Sequence, residues 1–130
     1  MDRTTAIQQA GIAAEAVNGT NQRLRAALEH WDDVDLKRLK DAYEVACSLK
    51  LMAQRLTLTT TQLATIVGEW HEEGHLHTAP AIDADATVAD YRAAMARAHT
   101  ASIALFTAFD DATKSLVPIG WKDPDATTSA

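Results

Sequence analysis

Residues 39–70 read LKDAYEVACSLKLMAQRLTLTTTQLATIVGEW, and the spacing of their apolar positions decides the fold. Leu39, Ala42, Ala46, Leu49, Ala53, Leu56, Thr60, Leu63, Val67 and Trp70 recur at alternating intervals of three and four. That repeat aligns side chains along one stripe of an α-helix. The stretch predicts a helix from near Asp35 to near Glu73, on the order of 55 Å long at the helical rise. Thr57 and the run Thr59-Thr60-Thr61 are its weak point. Thr59 followed by Gln62 has the form of a capping box, which would split the segment in two. One helix with strain at the threonines is the reading adopted.

Working outward, Ile7, Ala10, Ala14, Val17, Asn21, Leu24, Leu28 and Trp31 keep the same repeat upstream. The register survives Asn18-Gly19, so this too is one helix, although glycine inside a helix costs about 1 kcal/mol against alanine. Asp32-Asp33-Val34-Asp35 forms the turn, with acidic residues suited to the start of the next helix. Downstream, Gly74 is a helix stop, and the chain through Pro80 to Asp85 has loop composition. Thr87 with Asp90 three residues on marks a third start. A third seam, Val88, Tyr91, Met95, Ala98, Ser102, Leu105, Phe109, Ala112 and Leu116, ends at Pro118. Short connections make neighbours antiparallel, so the expected fold is an all-α, up-down-up bundle of three long helices, completed by oligomerisation. Residues 1–121 form its single domain and 122–130 a short polar tail. Val117, Ile119 and Trp121 are apolar enough to fold back on the bundle end.

Composition supports helix: alanine is roughly a fifth of the chain and is the best helix former. With 18 acidic against 12 basic residues and a formal charge of −6, a general nucleic-acid binder is disfavoured, because phosphate backbones are held by clustered cations. Arg23, Arg25, Lys37, Arg38 and Lys40 cluster around the first turn, but Glu29, Asp32, Asp33, Asp35 and Asp41 are interleaved among them. That pattern reads as a solvated mixed-charge face. Cys47 is the single cysteine, which excludes an internal disulfide and makes a reducing cytoplasm the default compartment. No secretory signal and no run of membrane-spanning length is evident.

Some apolar residues lie off the seams. Tyr43, Val45, Met52 and Ile66 flank the second seam and widen its buried face. Leu51 and Leu58 stand opposite it, with Cys47 one turn before Leu51. Ala96 and Ile103 hold the outer face of the third helix, with Ala89, Ala93 and Ala104. Exposed apolar faces of this kind mark interaction surfaces, and the expectation is a homodimer or a helical protein partner contacting Leu51, Leu58, Ile103, Ala96 and Cys47. Asn21, Thr60 and Ser102 are polar residues within the seams and are assigned structural roles.

One string carries enzyme chemistry. His71-Glu72-Glu73-Gly74-His75 matches H-E-x-x-H and in this respect resembles the zincin metalloproteases. The resemblance implies a zinc bound by His71 and His75, with Glu72 as general base and His77, Asp83 or Asp85 as the nearby third ligand. That chemistry needs both histidines on one helical face, whereas Gly74 stops the helix between them. The expected function is therefore a non-enzymatic helical interaction or assembly protein without a cofactor. The alternative is a metal-binding protein or small metal-dependent hydrolase centred on His71, His75 and His77.

Overall fold

The structure is a computed structural model that describes residues 3–30 and 39–120. Three helices account for 86% of the described residues, with no strand among them. They are α1 (Arg3–His30), α2 (Leu39–Glu72) and α3 (Ala84–Leu116). The chain divides into two compact units, Met1–Ala42 with Gly120–Ala130, and Tyr43–Ile119. The expected polar turn at residues 32–35, Trp31, and the 122–130 tail lie outside the described residues.

In the first unit, α1 runs through Asn18-Gly19 without a break, and Thr20 bonds back to the Ala16 carbonyl at 3.0 Å. Both of its interior glycines, Gly11 and Gly19, would meet nothing within 4 Å if given a Cβ. Arg25 pairs with Glu29 one turn on at 3.5 Å, in keeping with a mixed-charge face. Ile7, Ile12 and Leu28 are 60–89% exposed.

The second unit is a hairpin of α2 and α3. Helix α2 passes unbroken through the threonine run, because each hydroxyl satisfies itself on its own helix. Thr57 donates to the Gln54 carbonyl, Thr59 to Arg55, Thr60 and Thr61 to Thr57, and Thr65 to Thr61. Such back-bonding is how a β-branched hydroxyl is tolerated in a helix interior.

Gly74 ends α2 as the sequence implies. Its φ of +81° is the left-handed conformation that glycine takes without a Cβ penalty. Two capping bonds surround it: the His75 amide donates to the Trp70 carbonyl at 2.9 Å, and the Gly74 amide to His71 at 3.1 Å. Together they form a Schellman cap. A short turn follows, in which the Ile82 amide donates to the Ala79 carbonyl and Thr78 donates to Ile82.

The start of α3 is corrected from Thr87 to Asp83. The Asp83 carboxylate accepts from the amides of Asp85 at 2.9 Å and Ala86 at 3.4 Å, in extended backbone at φ −79°, ψ 113°. An aspartate satisfies these orphan amides more strongly than threonine does. Thr87, already inside the first turn, donates its hydroxyl to the Asp83 carbonyl. At the far end Val117 caps α3 just before Pro118. Val117 and Ile119 are 70% and 54% exposed and do not fold back on the hairpin.

Candidate interaction surface

Cross-helix contacts fix how α2 and α3 face each other. Lys50 pairs with Asp110 at 3.2 Å, and its ammonium lies 5.9 Å from the Phe106 ring centre. His99 Nδ1 lies 3.0 Å from the Thr57 carbonyl, which fixes the tautomer that donates there. The Thr60 and Thr61 hydroxyls lie 3.4 and 3.3 Å from the same nitrogen. Arg92 lies over Gly68, where a Cβ would stand 3.5 Å from its guanidinium. His71 Nε2 meets Asp85 at 2.6 Å. Each step up α2 is a step down α3, so the pair is antiparallel.

This ladder corrects the expected seam. The α3-facing stripe of α2 is centred on Ala53, Thr57, Thr60, Ala64, Gly68 and His71, of which Ala53, Thr60 and Gly68 are buried. Half of the expected seam, the series Ala46, Ala53, Thr60 and Val67, does face inward. The other half does not: Leu56, Leu63 and Trp70 are 37%, 43% and 47% exposed. Ile66, expected to widen the buried face, is 40% exposed. Likewise on α3, Phe106 and Thr113 take the inward places expected of Leu105 and Ala112, and Leu105 is 41% exposed. The physical reason is close approach. Small residues let two helix backbones draw together, and the polar pairs at both ends lock that rotation. Ala53 is the one buried apolar residue, and no large side chain is fully buried, among the described residues.

At roughly 100° per residue, Leu56, Leu63 and Trp70 form a row about a quarter turn from the α3-facing stripe, with Ile66 nearly half a turn round. Leu105 lies beside it on α3, among alanines. The opposite flank carries the residues singled out from sequence. Leu51, Leu58 and Ile103 are 41%, 60% and 48% exposed, Ala96 is exposed and Cys47 half-buried. On that flank a groove of about 570 Å³ runs between the helices, lined by Thr61, Thr65, Arg92, Ala96 and His99 among others. Apolar spacing alone places the members of this row of α2 in the core. The signal was present in their size, since leucine and tryptophan hold helices further apart than the alanines, threonines and glycine beside them.

Electrostatics concentrate near Lys50. Hydrogen bonds from Lys114 and then Lys50 hold the Asp110 carboxyl below its usual range. The Asp110 carboxylate in turn raises Lys114, which it meets at 2.7 Å. One turn into the hairpin, the Cys47 thiol pushes the Tyr43 phenol up, first by hydrogen bonding and then by charge.

The histidine string is not gathered into a cluster. His71 faces Asp85 through Nε2, and its Nδ1 is buried without a hydrogen-bond partner. His75, beyond the Schellman cap, turns to Glu73 at 3.3 Å. Among the described residues no three His, Cys, Asp or Glu side chains converge in a way that could hold a metal ion, and no helix is long and apolar enough to cross a membrane. No family model, curated protein or solved structure matches the chain.

Proposed function

We propose that the chain is a non-enzymatic helical interaction or assembly protein, acting through apolar surface on both flanks of the α2–α3 hairpin. One observation carries the reading. The hairpin seals its seam largely with alanine, threonine, serine and glycine, and leaves Leu51, Leu56, Leu58, Leu63, Ile66, Trp70, Ile103 and Leu105 37–60% exposed. Exposed apolar surface along two helices is the usual mark of a partner-binding face. Covering Leu58 alone would contribute up to roughly 1–2 kcal/mol before association costs are subtracted. On the outer flank, Leu51, Leu58, Ala96, Ile103 and Cys47 are the contact residues of this reading.

The test charges both flanks at once. In the variant carrying Leu58→Glu and Leu63→Glu, the reading expects self-association, or capture of a partner from the native host, to fall at least tenfold. If every association of the wild-type chain survives unchanged, the reading fails. The metal alternative is separated by zinc content and peptidase activity of protein purified without a metal-affinity tag. One zinc per chain with activity lost in Glu72→Gln would replace the assembly reading with a hydrolase.

A further inference from the structure

Arg92 is held in place without a counter-charge, and it stands in the groove between α2 and α3. Its Nε, Cζ and Nη1 atoms all lie 3.5 Å from the point a Cβ would occupy on Gly68. Three atoms of one plane at equal distance mean that the guanidinium lies face-on against α2. Its N–H groups radiate within that plane, so they run along the surface of the hairpin rather than into it. Gly68 is buried beneath.

No acceptor of the chain takes up those donors. Among the described residues Arg92 makes no hydrogen bond and no ion pair. The acids nearest by helical position are Glu69 and Glu72, just past Gly68, and Asp85, two turns before Arg92. Asp85 is engaged by His71 at 2.6 Å. Arg55 and Arg97 are unpaired too, but neither lines the groove.

We propose that the groove is a binding site for a small organic carboxylate, whose anionic end is held by the free edge of Arg92. A guanidinium edge offers two parallel N–H donors that match the two oxygens of a carboxylate. The inference goes beyond the assembly reading and does not depend on it.

The remainder of the groove describes what the ligand carries behind its carboxylate. Thr60 is buried and Ala64 and Met95 are half-buried, so they form the deeper part, while exposed Ala93 and Ala96 form the α3 wall. The hydroxyl protons here are already used, since Thr60 and Thr61 donate to the Thr57 carbonyl and Thr65 to that of Thr61. Small side chains leave about 570 Å³ between the helices, within the roughly 300–1,000 Å³ of small-molecule sites. This stretch suits a short apolar body. At the far end stands His99, two helical turns and about 10 Å along α3 from Arg92. Its Nδ1 donates to the Thr57 carbonyl, so in the neutral ring Nε2 keeps its lone pair. Nε2 has no partner within the chain and is open to solvent. It accepts a hydrogen bond from a hydroxyl or N–H at the ligand's other end.

The experiment titrates the full chain with 4-hydroxycinnamate, whose carboxylate and hydroxyl lie at opposite ends of an apolar body. Binding is read from two-dimensional amide NMR, with circular dichroism as a check that each variant is folded. Saturable shifts centred on residues 60–65 and 92–100 are expected. Arg92→Gln removes the charge and the fork, and Ala93→Leu fills the groove at an exposed position without touching charge. Each is expected to raise the dissociation constant at least tenfold. Arg92→Lys keeps the charge without the fork and should raise it about fivefold, whereas Arg97→Gln should change it by less than about twofold. The methyl ester should bind at least tenfold more weakly than the acid, and cinnamate, which lacks the hydroxyl, about threefold more weakly. Absence of saturable binding up to about 10 mM ligand overturns the inference. Equal losses in Arg97→Gln and Arg92→Gln overturn it as well, because they mark general charge attraction, and so does an ester that binds as tightly as the acid. Tighter binding of inorganic phosphate overturns the choice of carboxylate, and cinnamate of equal affinity overturns the role of His99. The association test with Leu58→Glu and Leu63→Glu reads out separately from all of these.

Discussion

Replacing Gly74 by alanine isolates the contribution of one backbone angle. Gly74 sits at φ +81°, and a Cβ built there meets nothing within 4 Å, so no packing change accompanies the substitution. What remains is the cost of holding an L-residue in the left-handed region, about 1–2 kcal/mol. Both capping bonds, His75 to Trp70 and Gly74 to His71, depend on that angle. For a unit the size of Tyr43–Ile119, each 1 kcal/mol shifts the melting temperature by about 4–8 °C. Urea unfolding followed by far-UV circular dichroism should therefore show Gly74→Ala destabilised by about 1–2 kcal/mol. Gly74→Asn should lose less, because asparagine tolerates the left-handed region. Gly11→Ala, in the open interior of α1, should change sign and gain about 0.5–1 kcal/mol. A neutral or stabilising Gly74→Ala with increased helicity would refute the reasoning. It would mean that α2 simply runs on through His75, and that the loop imposes no requirement for the cap.

Other expectations follow from the same contacts. Asp83→Ala removes the carboxylate that accepts from two amides of α3 and should cost about 1 kcal/mol in urea unfolding. His99→Ala removes the bond to the Thr57 carbonyl at the middle of the hairpin and should cost about 1 kcal/mol by the same measurement. The Asp110 carboxyl is held below its usual range by Lys114 and Lys50, so its pairing stabilises the fold above the unfolded carboxyl pKa of about 3.9 and is lost as pH falls through the lower folded value. The stability difference between wild type and Asp110→Asn should accordingly be flat near neutrality and shrink in acid. A difference that grows in acid would reverse the assignment. Lys114, raised by the same carboxylate, should show the mirror behaviour, its contribution present below about pH 10.4 and lost as alkali titrates the folded amine.

The elements were largely legible because their signals are local. Unbroken registers at three and four gave α1 and α2 through Asn18-Gly19 and the threonine run, where backbone and hydroxyl groups are satisfied within one helix. Gly74 and Pro118 stop helices by their own covalent geometry, so their neighbours did not matter. The start of α3 was displaced to Thr87 because Asp83 lies in a stretch of loop composition. Its capping role appears only once its carboxylate is placed against the amides of Asp85 and Ala86.

Rotation of α2 about its own axis was not legible, and the reason bears on function. Apolar spacing identifies a stripe but cannot choose between Leu56, Leu63 and Trp70 on one side of it and Thr57, Ala64 and His71 on the other. Size favours the first set if the seam is filled by large side chains. The observed choice goes the other way: small residues let the two helices approach closely, and pairing between positions far apart in sequence locks that rotation, Lys50 with Asp110, 60 residues away, and His99 with Thr57, 42 away. The Lys50 and Asp110 side chains are 29% and 25% exposed and each such contact is worth about 1 kcal/mol, so these pairs fix the register of a seam that Ala53, Thr60, Ala64 and Gly68 already allow to close tightly. Turning α2 to satisfy them moves the leucines and tryptophan from the seam to the flank. The apolar face left exposed is thus set by the small residues and polar contacts of the seam. Removing Lys50 or His71 should relax the rotation as well as the stability, and so alter the apolar face from behind.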